Sequence, residues 1–109
     1  MKRGDIWIAS GGAEFVGKPR PVVVVQDDRF DALTSVTVCA LTATIKDVSL
    51  IRPMIEPGAG NGLATASQLM IDKLATMSKT KLDRRIGRLS DKDLLRLNQA
   101  LLVFLGLAG

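Results

Sequence analysis

The hydrophobic residues of the chain fall mostly into short runs, and the sharpest of these is Val22-Val23-Val24-Val25. Four successive β-branched residues, bounded by Pro21 and Gln26, are typical of a strand that is covered on both faces. A proline is compatible with the start of a strand, because the first residue needs no N–H for the ladder. The pattern therefore predicts a central strand within residues 18–26.

Shorter apolar runs predict the other strands. Residues 3–9 alternate and residues 35–41 are rich in β-branched side chains, and three further short strands are predicted at 52–56, 65–74 and 86–89. Residues 10–17 contain three glycines and no periodicity, so we expect a mobile loop there. In the polar turn at 27–31, Phe30 is expected to lie beneath the turn.

The last predicted element is a helix that begins after Ser90. An acid three residues later, Asp93, gives a start similar to a capping box. Apolar residues then recur at helical spacing, namely Leu94, Leu97, Leu101, Phe104 and Leu105. Gly106 supplies the end of the helix, and Leu107 is expected to pack back on the last turn.

The apolar stripe of this helix is wider than one sheet would cover. Leu95, Leu102 and Val103 extend it around the helix, so a second covering surface is implied. A homodimer contact is one explanation, and a deep groove is the other.

The length of 109 residues predicts a single domain over 1–109 that can bury its own core. Short strands, a glycine-rich loop and one terminal helix indicate a small, mainly β barrel with a helix laid on it. The first residues do not have the pattern of a signal peptide, and no apolar run reaches the roughly 18 residues of a membrane span. The sequence therefore favours a cytoplasmic protein without a membrane partner.

The charge balance allows nucleic-acid binding without requiring it. Fifteen Lys and Arg stand against eleven Asp and Glu, which gives a net charge of +4. The chain has no histidine and a single cysteine, Cys39, which is expected to be a buried thiol. This composition argues against a zinc site and removes the commonest general acid and base.

Arg20 is the first candidate for chemistry, because Pro19 and Pro21 restrict the backbone around it. A guanidinium at the rim of a buried strand suits either an ion pair with a carboxylate at the barrel edge or a phosphate group. Thr42 ends the third strand, where the residues alone favour a hydroxyl that bonds its own backbone.

Five segments in register resemble the MazF/PemK (Kid) toxins, and together they cover nearly the whole chain. They are Arg3-Gly4-Asp5-Ile6-Trp7, Arg20-Pro21-Val22-Val23-Val24, Val38-Cys39-Ala40-Leu41-Thr42, Asn61-Gly62-Leu63 with Ser67 and Asp72 after it, and Leu105-Gly106-Leu107. The resemblance implies an SH3-like small β-barrel of the CcdB/PemK type that forms a homodimer. It also implies a sequence-selective endoribonuclease that needs no metal or other cofactor, acts on single-stranded RNA and is neutralised by a cognate antitoxin.

The resemblance also assigns roles to residues. Arg20 and Thr42 match the catalytic pair of the family, and Asp72 matches an acidic residue that acts near the scissile phosphate, as a possible base, or reads an RNA base. Some members have a basic residue two positions before this acid and a histidine in the first loop. This chain has Met70 there and no histidine, so a mechanism that depends on those groups does not carry over.

Further polar residues are candidates for RNA binding. Lys18 and Lys73 could contact phosphates without reading sequence, although a solvated surface position explains each lysine equally well. Lys73 stands where the family often has glutamine, which bears on base preference. Ser67 could read a base edge. The basic cluster Arg84, Arg85 and Arg88 is interpreted as a solvated face or an antitoxin-facing patch.

A second class of function remains open at this point. A toxin-like barrel could act by binding a protein such as DNA gyrase, without cutting RNA. The combination of Arg20 with Thr42 favours the nuclease, because a purely binding barrel has no need of a phosphate-binding fork beside a hydroxyl.

Overall fold

The structure is a computed structural model that describes residues 1–10 and 18–108. Most of the predicted glycine-rich loop, residues 11–17, lies outside the described residues. The described part contains one six-stranded sheet and one α-helix. The strands are β1 Asp5–Ala9, β2 Arg20–Val24, β3 Ser35–Thr42, β4 Met54–Ile55, β5 Ser67–Ser78 and β6 Leu82–Arg88, and the helix is α1 Asp91–Phe104.

The strands are ordered β4-β5-β3-β2-β1-β6, and every neighbouring pair is antiparallel. β2 therefore lies inside the sheet, between β1 and β3. Val22, Val23 and Val24 expose 0, 0 and 1% of their surface, which confirms the prediction of a strand covered on both faces.

The two faces of the sheet carry separate apolar clusters. The helix-side cluster joins the sheet to α1 and contains Ile6, Val23, Cys39, Leu41, Ile55, Leu69, Ile71, Leu89, Leu97 and Ala100. The cavity-side cluster lies on the opposite face and contains Ala9, Val22, Val24, Val36, Val38, Ala40, Met70 and Leu82. Trp7 packs against the cavity-side cluster. Successive residues of β2 and β3 thus support opposite faces of one sheet.

The helix begins as predicted. The Ser90 hydroxyl accepts a hydrogen bond from the Asp93 N–H at 3.1 Å, and Asp91 and Asp93 lie in the first turn, where the helix dipole favours acids. Leu97 and Ala100 are buried beneath the helix. Among the described residues, no helix has the length and apolar character needed to cross a membrane.

The end of the helix is only partly as predicted. Gly106 has φ +73°, and the N–H groups of Gly106 and Leu107 donate to the carbonyls of Val103 and Leu102. These two bonds form a Schellman motif. The expectation that Leu107 packs back on the helix is wrong, because its side chain is 72% exposed. The two backbone bonds close the helix without an apolar contact.

Part of the helix surface is uncovered by the sheet. Leu95, Leu102 and Val103, predicted to widen the apolar stripe, are exposed by 57, 43 and 43%. The sheet therefore covers only one side of α1 in the single chain.

Three strands differ in extent from their predictions. The strand predicted at 52–56 is reduced to β4, whereas β5 continues four residues beyond the predicted 65–74. β6 begins at Leu82 rather than at Ile86 and pairs with β1. Its first half has the sequence Leu-Asp-Arg-Arg, and a search for runs of hydrophobic residues does not detect a strand of this composition. Because β6 is an edge strand of the sheet, these charged side chains remain solvated.

Phe30 is not beneath its turn, contrary to the sequence expectation. Its side chain is 51% exposed, and the Arg29 guanidinium lies 5.8 Å from the ring centroid. The N-terminus lies against this turn instead. Met1 packs against the cavity-side cluster, and its ammonium is 3.4 Å from the Asp31 carboxylate.

The turn at residues 57–62 is fastened by Asn61 and two glycines. Asn61 is 6% exposed, its Nδ2 donates to the Glu56 carbonyl, and its Oδ1 accepts from the N–H groups of Gly58 and Leu63. Gly60 and Gly62 both have positive φ, at +90° and +70°. A Cβ on Gly60 would meet nothing, but a Cβ on Gly62 would overlap the backbone of Ile86 on β6.

We expect Gly62→Ala to destabilise the fold more than Gly60→Ala. Both replacements carry the left-handed strain of about 1–2 kcal/mol, and only Gly62→Ala adds the overlap with β6, for a total of roughly 3 kcal/mol. Urea unfolding of both variants measures the difference. Equal losses would mean that backbone strain alone decides, and that the contact between the turn and β6 is not tight.

Candidate functional site

The register of β2 and β3 brings Arg20 and Thr42 to the same end of the sheet. Val22 faces Ala40 in this antiparallel ladder, so the same register, continued by two residues, sets Arg20 opposite Thr42. Both residues share the face of Val22, Val24 and Ala40, which belong to the cavity-side cluster. The two side chains predicted to act together therefore lie on one face of neighbouring strands.

A cavity of about 660 Å³ opens on this face and is called the main cavity below. Arg20 and Thr42 line it, and Val38, Ala40 and Met70 supply apolar wall from the cluster beneath. The other described lining residues are Thr44, Lys46, Arg52, Lys73, Leu74, Ala75 and Thr76. Four of the described lining residues are cationic and none is acidic, so the cavity suits an anionic ligand.

Arg20 is half-buried and lies at the junction of two cavities. Within residues 1–10 and 18–108, no carboxylate is within 4 Å of its guanidinium. The described part of the chain therefore does not supply the ion pair that was the structural alternative for this arginine.

Thr42 is 5% exposed, and its hydroxyl oxygen accepts a hydrogen bond from the Thr44 N–H at 3.2 Å. This is the local backbone bond that the sequence analysis allowed for a residue at a strand end. A hydroxyl has one donor and two acceptor sites, so this bond leaves the O–H available to donate. The backbone bond and a donor role are therefore compatible.

A second cavity, of about 400 Å³, lies on the other side of Arg20. Lys18 and Ser67 line it together with Arg20, Gly62 and Leu63. Ser67 is 5% exposed and donates its hydroxyl proton to the Thr65 carbonyl at 3.1 Å. Lys18 is exposed at the cavity rim. Arg20 thus connects the cavity of Thr42 to the cavity of Ser67.

Asp72 is held by an arginine that the sequence analysis did not identify. Arg52 Nε and Nη2 donate to the two carboxylate oxygens of Asp72, each at 3.0 Å, and the Arg52 side chain is 8% exposed. These hydrogen bonds hold the pKa of Asp72 below its ordinary value. Asp72 is not among the described lining residues of the main cavity, whereas its neighbour Lys73 is.

This ion pair lies where β5 changes register. Between Cys39 and Leu41, two steps along β3 face five steps along β5, from Leu74 to Leu69. The extra residues of β5 include Asp72 and Lys73, which are thereby released from regular pairing with β3. A bidentate arginine fork on a carboxylate fixes the orientation of such an irregular segment.

Sequence reasoning missed four polar residues among the described lining of the main cavity: Thr44, Lys46, Arg52 and Thr76. For Lys46, the only sequence feature that could have indicated a place in the cavity was its positive charge soon after the third strand. Arg52 was considered only as the start of a short strand, and its partner lies twenty residues further along the chain. Such a pairing depends on which strands are adjacent in the sheet, so a single sequence does not reveal it.

The remaining singled-out residues lie outside the two cavities. Arg85 pairs with Asp5 and Arg84 with its neighbour Asp83, each at 3.2 Å, and Arg88 is exposed on the same strand. Cys39 is buried, as expected, and burial raises the pKa of its thiol to about 12. Neither the arginines nor the thiol lines the main cavity.

Residues 2–105 match the family of PemK-like, MazF-like toxins of type II toxin–antitoxin systems. The chain is also 51% identical over its full length to a protein of Mycolicibacterium smegmatis that is named "Probable endoribonuclease MazF", and it covers 100% of that protein. The chain belongs to the PemK/MazF toxin family.

Solved structures of this family have the same fold. The Mycobacterium tuberculosis toxin MazF-mt6 superposes with a TM-score of 0.78 at 27% identity, over 94% of this chain and 96% of that one. A mycobacterial endoribonuclease in complex with its cognate antitoxin gives 0.79 at 21% identity, over 100% and 98%. The predicted fold, mainly β with a C-terminal helix in the small barrel of PemK-like toxins, is confirmed.

We expect Asp72→Asn to destabilise this toxin-family chain by about 2 kcal/mol at neutral pH, because it leaves the buried Arg52 without its charged partner. The pKa of Asp72 is lower in the folded state than in the unfolded state. The pair with Arg52 therefore stabilises the folded state fully above the unfolded pKa of about 3.9, and this stabilisation is lost as pH falls through the folded pKa. The difference between wild type and Asp72→Asn should therefore be constant above about pH 5 and shrink below about pH 4.

Urea unfolding at several pH values measures this difference. Asp83→Asn is the matched control, because its pair with Arg84 is exposed and should contribute little. An Asp72→Asn variant as stable as Asp83→Asn at pH 7 would remove the Arg52 pair as a structural constraint on β5.

Proposed function

We propose that this chain is an endoribonuclease toxin that cleaves single-stranded RNA at selected sequences without a metal ion or other cofactor. The observation that carries the proposal is the position of Arg20 and Thr42, on one face of two neighbouring strands and in a cavity whose described charged residues are all cationic. The named endoribonuclease relative, 51% identical over the full chain, supports the same activity.

Cleavage without a metal uses a nucleophile that RNA itself supplies. The 2′ oxygen attacks the adjacent phosphorus, the bond from phosphorus to the 5′ oxygen breaks, and the products are a cyclic phosphate and a 5′ hydroxyl. The reaction takes one proton from the 2′ hydroxyl and returns one to the leaving 5′ oxygen. Between these events the non-bridging oxygens on the phosphorus carry additional negative charge, which the protein must stabilise.

In this proposal Arg20 stabilises that charge. Its planar fork matches two phosphate oxygens and brings a positive charge to the developing anion. The prolines on either side and the buried valine strand behind it limit its movement. A preorganised donor of this kind typically contributes about 3–4 kcal/mol to lowering a barrier.

Thr42 donates its hydroxyl proton to a non-bridging phosphate oxygen in the same proposal. Its oxygen already accepts the Thr44 N–H, which orients the side chain. An accepted hydrogen bond also polarises a hydroxyl toward donation. Thr42 therefore acts as a second donor beside Arg20.

Asp72 is better suited to recognition than to proton transfer. The two hydrogen bonds from Arg52 lower its pKa and so weaken it as a base. Its side chain is 27% exposed, and its carboxylate has acceptor capacity beyond the two bonds. We assign Asp72 and Ser67 to reading base edges, and we assign no residue as the general base.

Lys18 and Lys73 complete the proposed RNA path by contacting phosphates. Both are exposed, and they line the two cavities that meet at Arg20. A strand crossing from one cavity to the other would pass Arg20 between them. Contacts of this kind position RNA without reading its sequence.

Partners follow from the same proposal. A cognate antitoxin would neutralise the chain, as the toxin–antitoxin family description implies. A homodimer would cover the exposed residues Leu95, Leu102 and Val103 of α1. We also propose that the chain works as a single domain in the cytoplasm, where its RNA substrate is present.

Incubation of the purified chain, free of antitoxin, with a defined RNA tests the activity. We expect primer extension to detect cuts at a limited set of sites, with and without EDTA, because no step requires a metal. If the folded protein leaves RNA intact, the nuclease proposal fails, and inhibition of a protein target such as gyrase becomes the alternative to measure. Loss of cutting in EDTA alone would overturn the metal-free mechanism.

We expect Arg20→Ala to lower the cleavage rate by at least about 10²- to 10³-fold, because it removes the charged donor at the phosphate. Folding, followed by circular dichroism, and antitoxin binding should be retained. Arg29→Ala is the matched control, since Arg29 is exposed and outside both cavities, and it should cleave as wild type does. An Arg20→Ala variant with most of its activity would remove Arg20 from the mechanism.

A further inference from the structure

The segment that follows Thr42 leaves the sheet and forms part of the main cavity. Residues 43–50 are exposed at every position, so apolar burial does little to hold them. Thr44 and Lys46 nevertheless both line the cavity beside Arg20 and Thr42. Some other contact must fix this segment if Lys46 is to present its charge at a defined place.

A buried glutamine on β5 makes that contact. The Lys46 N–H donates to Gln68 Oε1 at 2.8 Å, and Gln68 Nε2 donates to the Lys46 carbonyl at 2.8 Å. One carboxamide thus bonds both backbone groups of one residue, as a neighbouring strand would. Beyond the last residue of β3, the Gln68 side chain supplies the hydrogen bonds that a neighbouring strand supplies within the sheet.

Gln68 is itself held rigidly. Its backbone lies opposite Thr42 of β3 on one side and Met54 of β4 on the other, and it is 3% exposed. Gln68 therefore fixes Lys46 relative to Thr42, because its backbone pairs with Thr42 and its side chain bonds Lys46. Its carboxamide oxygen and nitrogen are both engaged. Removing them would leave the Lys46 N–H to solvent and its carbonyl with the Val48 N–H as its remaining described partner.

We propose that Gln68 is a positioning residue that holds Lys46 in the main cavity, and that the Lys46 ammonium contacts an RNA phosphate next to the one at Arg20 and Thr42. This inference rests on the proposed function, because it assigns the anion of the cavity to RNA. Gln68 does not touch the substrate and acts through the backbone of Lys46. Lys46 adds electrostatic affinity that is independent of base sequence.

Binding as a function of salt concentration tests the proposal. The probe is a DNA oligonucleotide with the sequence of a cleaved RNA, which lacks the attacking 2′ hydroxyl and so remains intact. Each phosphate contact on a single strand contributes about 0.7 to the slope of log affinity against log salt. We expect Lys46→Gln and Gln68→Leu each to lower the slope by about 0.7 and to weaken binding for all sequences alike.

Kinetics and a double variant separate positioning from general damage. With cleavable RNA, both single variants should raise KM about three- to tenfold with kcat nearly unchanged, as expected when a contact binds the ground state and the transition state equally. The double variant Lys46→Gln with Gln68→Leu should behave as either single variant, because both remove one contact. If the losses of RNA affinity in the two single variants add up in the double variant, Gln68 does not act through Lys46 and the proposal is wrong.

Gln26 offers a matched control at the other end of the sheet. It also bonds two backbone groups, the Thr37 N–H at 3.0 Å and the Phe30 carbonyl at 3.4 Å, and it lines neither cavity. Gln26→Leu should lose some stability and keep the wild-type slope. An equal change in slope for Gln26→Leu would mean that loosening the fold, and not Lys46, causes the effect.

The outcomes distinguish a failure of the Gln68–Lys46 inference from a failure of the nuclease proposal. If wild type cleaves RNA and Lys46→Gln, at an exposed position that folding tolerates, keeps the wild-type slope, the inference is wrong and the nuclease proposal stands. If wild type does not cleave, the nuclease proposal fails by itself. Should Gln68→Leu not fold, Gln68→Met retains the size and the absence of charge but loses the donor and the acceptor, and a wild-type slope and KM for this variant would also contradict the proposal.

Discussion

The burial of β2 on both faces is the constraint on which the rest of the structure depends. Its valines support the helix-side cluster and the cavity-side cluster in alternation, so the strand has one allowed register with β3. A slip by one residue would exchange the two faces of the strand. It would also turn Arg20 away from the cavity and toward the helix. The apolar packing therefore decides where the cationic group lies.

The two walls of the main cavity are held by different physical means. Regular pairing fixes Arg20 opposite Ala9 of β1 and Thr42 opposite Gln68 of β5, and the β2–β3 register brings both to one end of the sheet. On the β5 side the cavity also includes irregular backbone, the segment after Thr42 and the register change of β5, and side-chain hydrogen bonds from Arg52 and Gln68 fix it. Hydrogen bonds of buried side chains are costly to leave unpaired, so they define a unique arrangement where ladder bonds are lacking.

The limits of prediction from sequence follow this division. β2 and the start of α1 were predictable, because a valine run and a capping serine are local signals. Family resemblance then indicated Arg20 and Thr42. β6 was only partly found, because its solvated edge carries charged residues in place of an apolar run. Arg52 and Gln68 were missed, since their partners depend on strand neighbours and on the register change of β5.

The single cysteine has a practical consequence of its own. Cys39 lies in the middle of β3, is fully buried and has a pKa near 12, so almost no thiolate is exposed in the folded chain. A thiol-reactive dye would label the protein only during openings of the central sheet. The labelling rate of Cys39 therefore reports how often the strands that carry the cavity separate, and no engineered probe is needed.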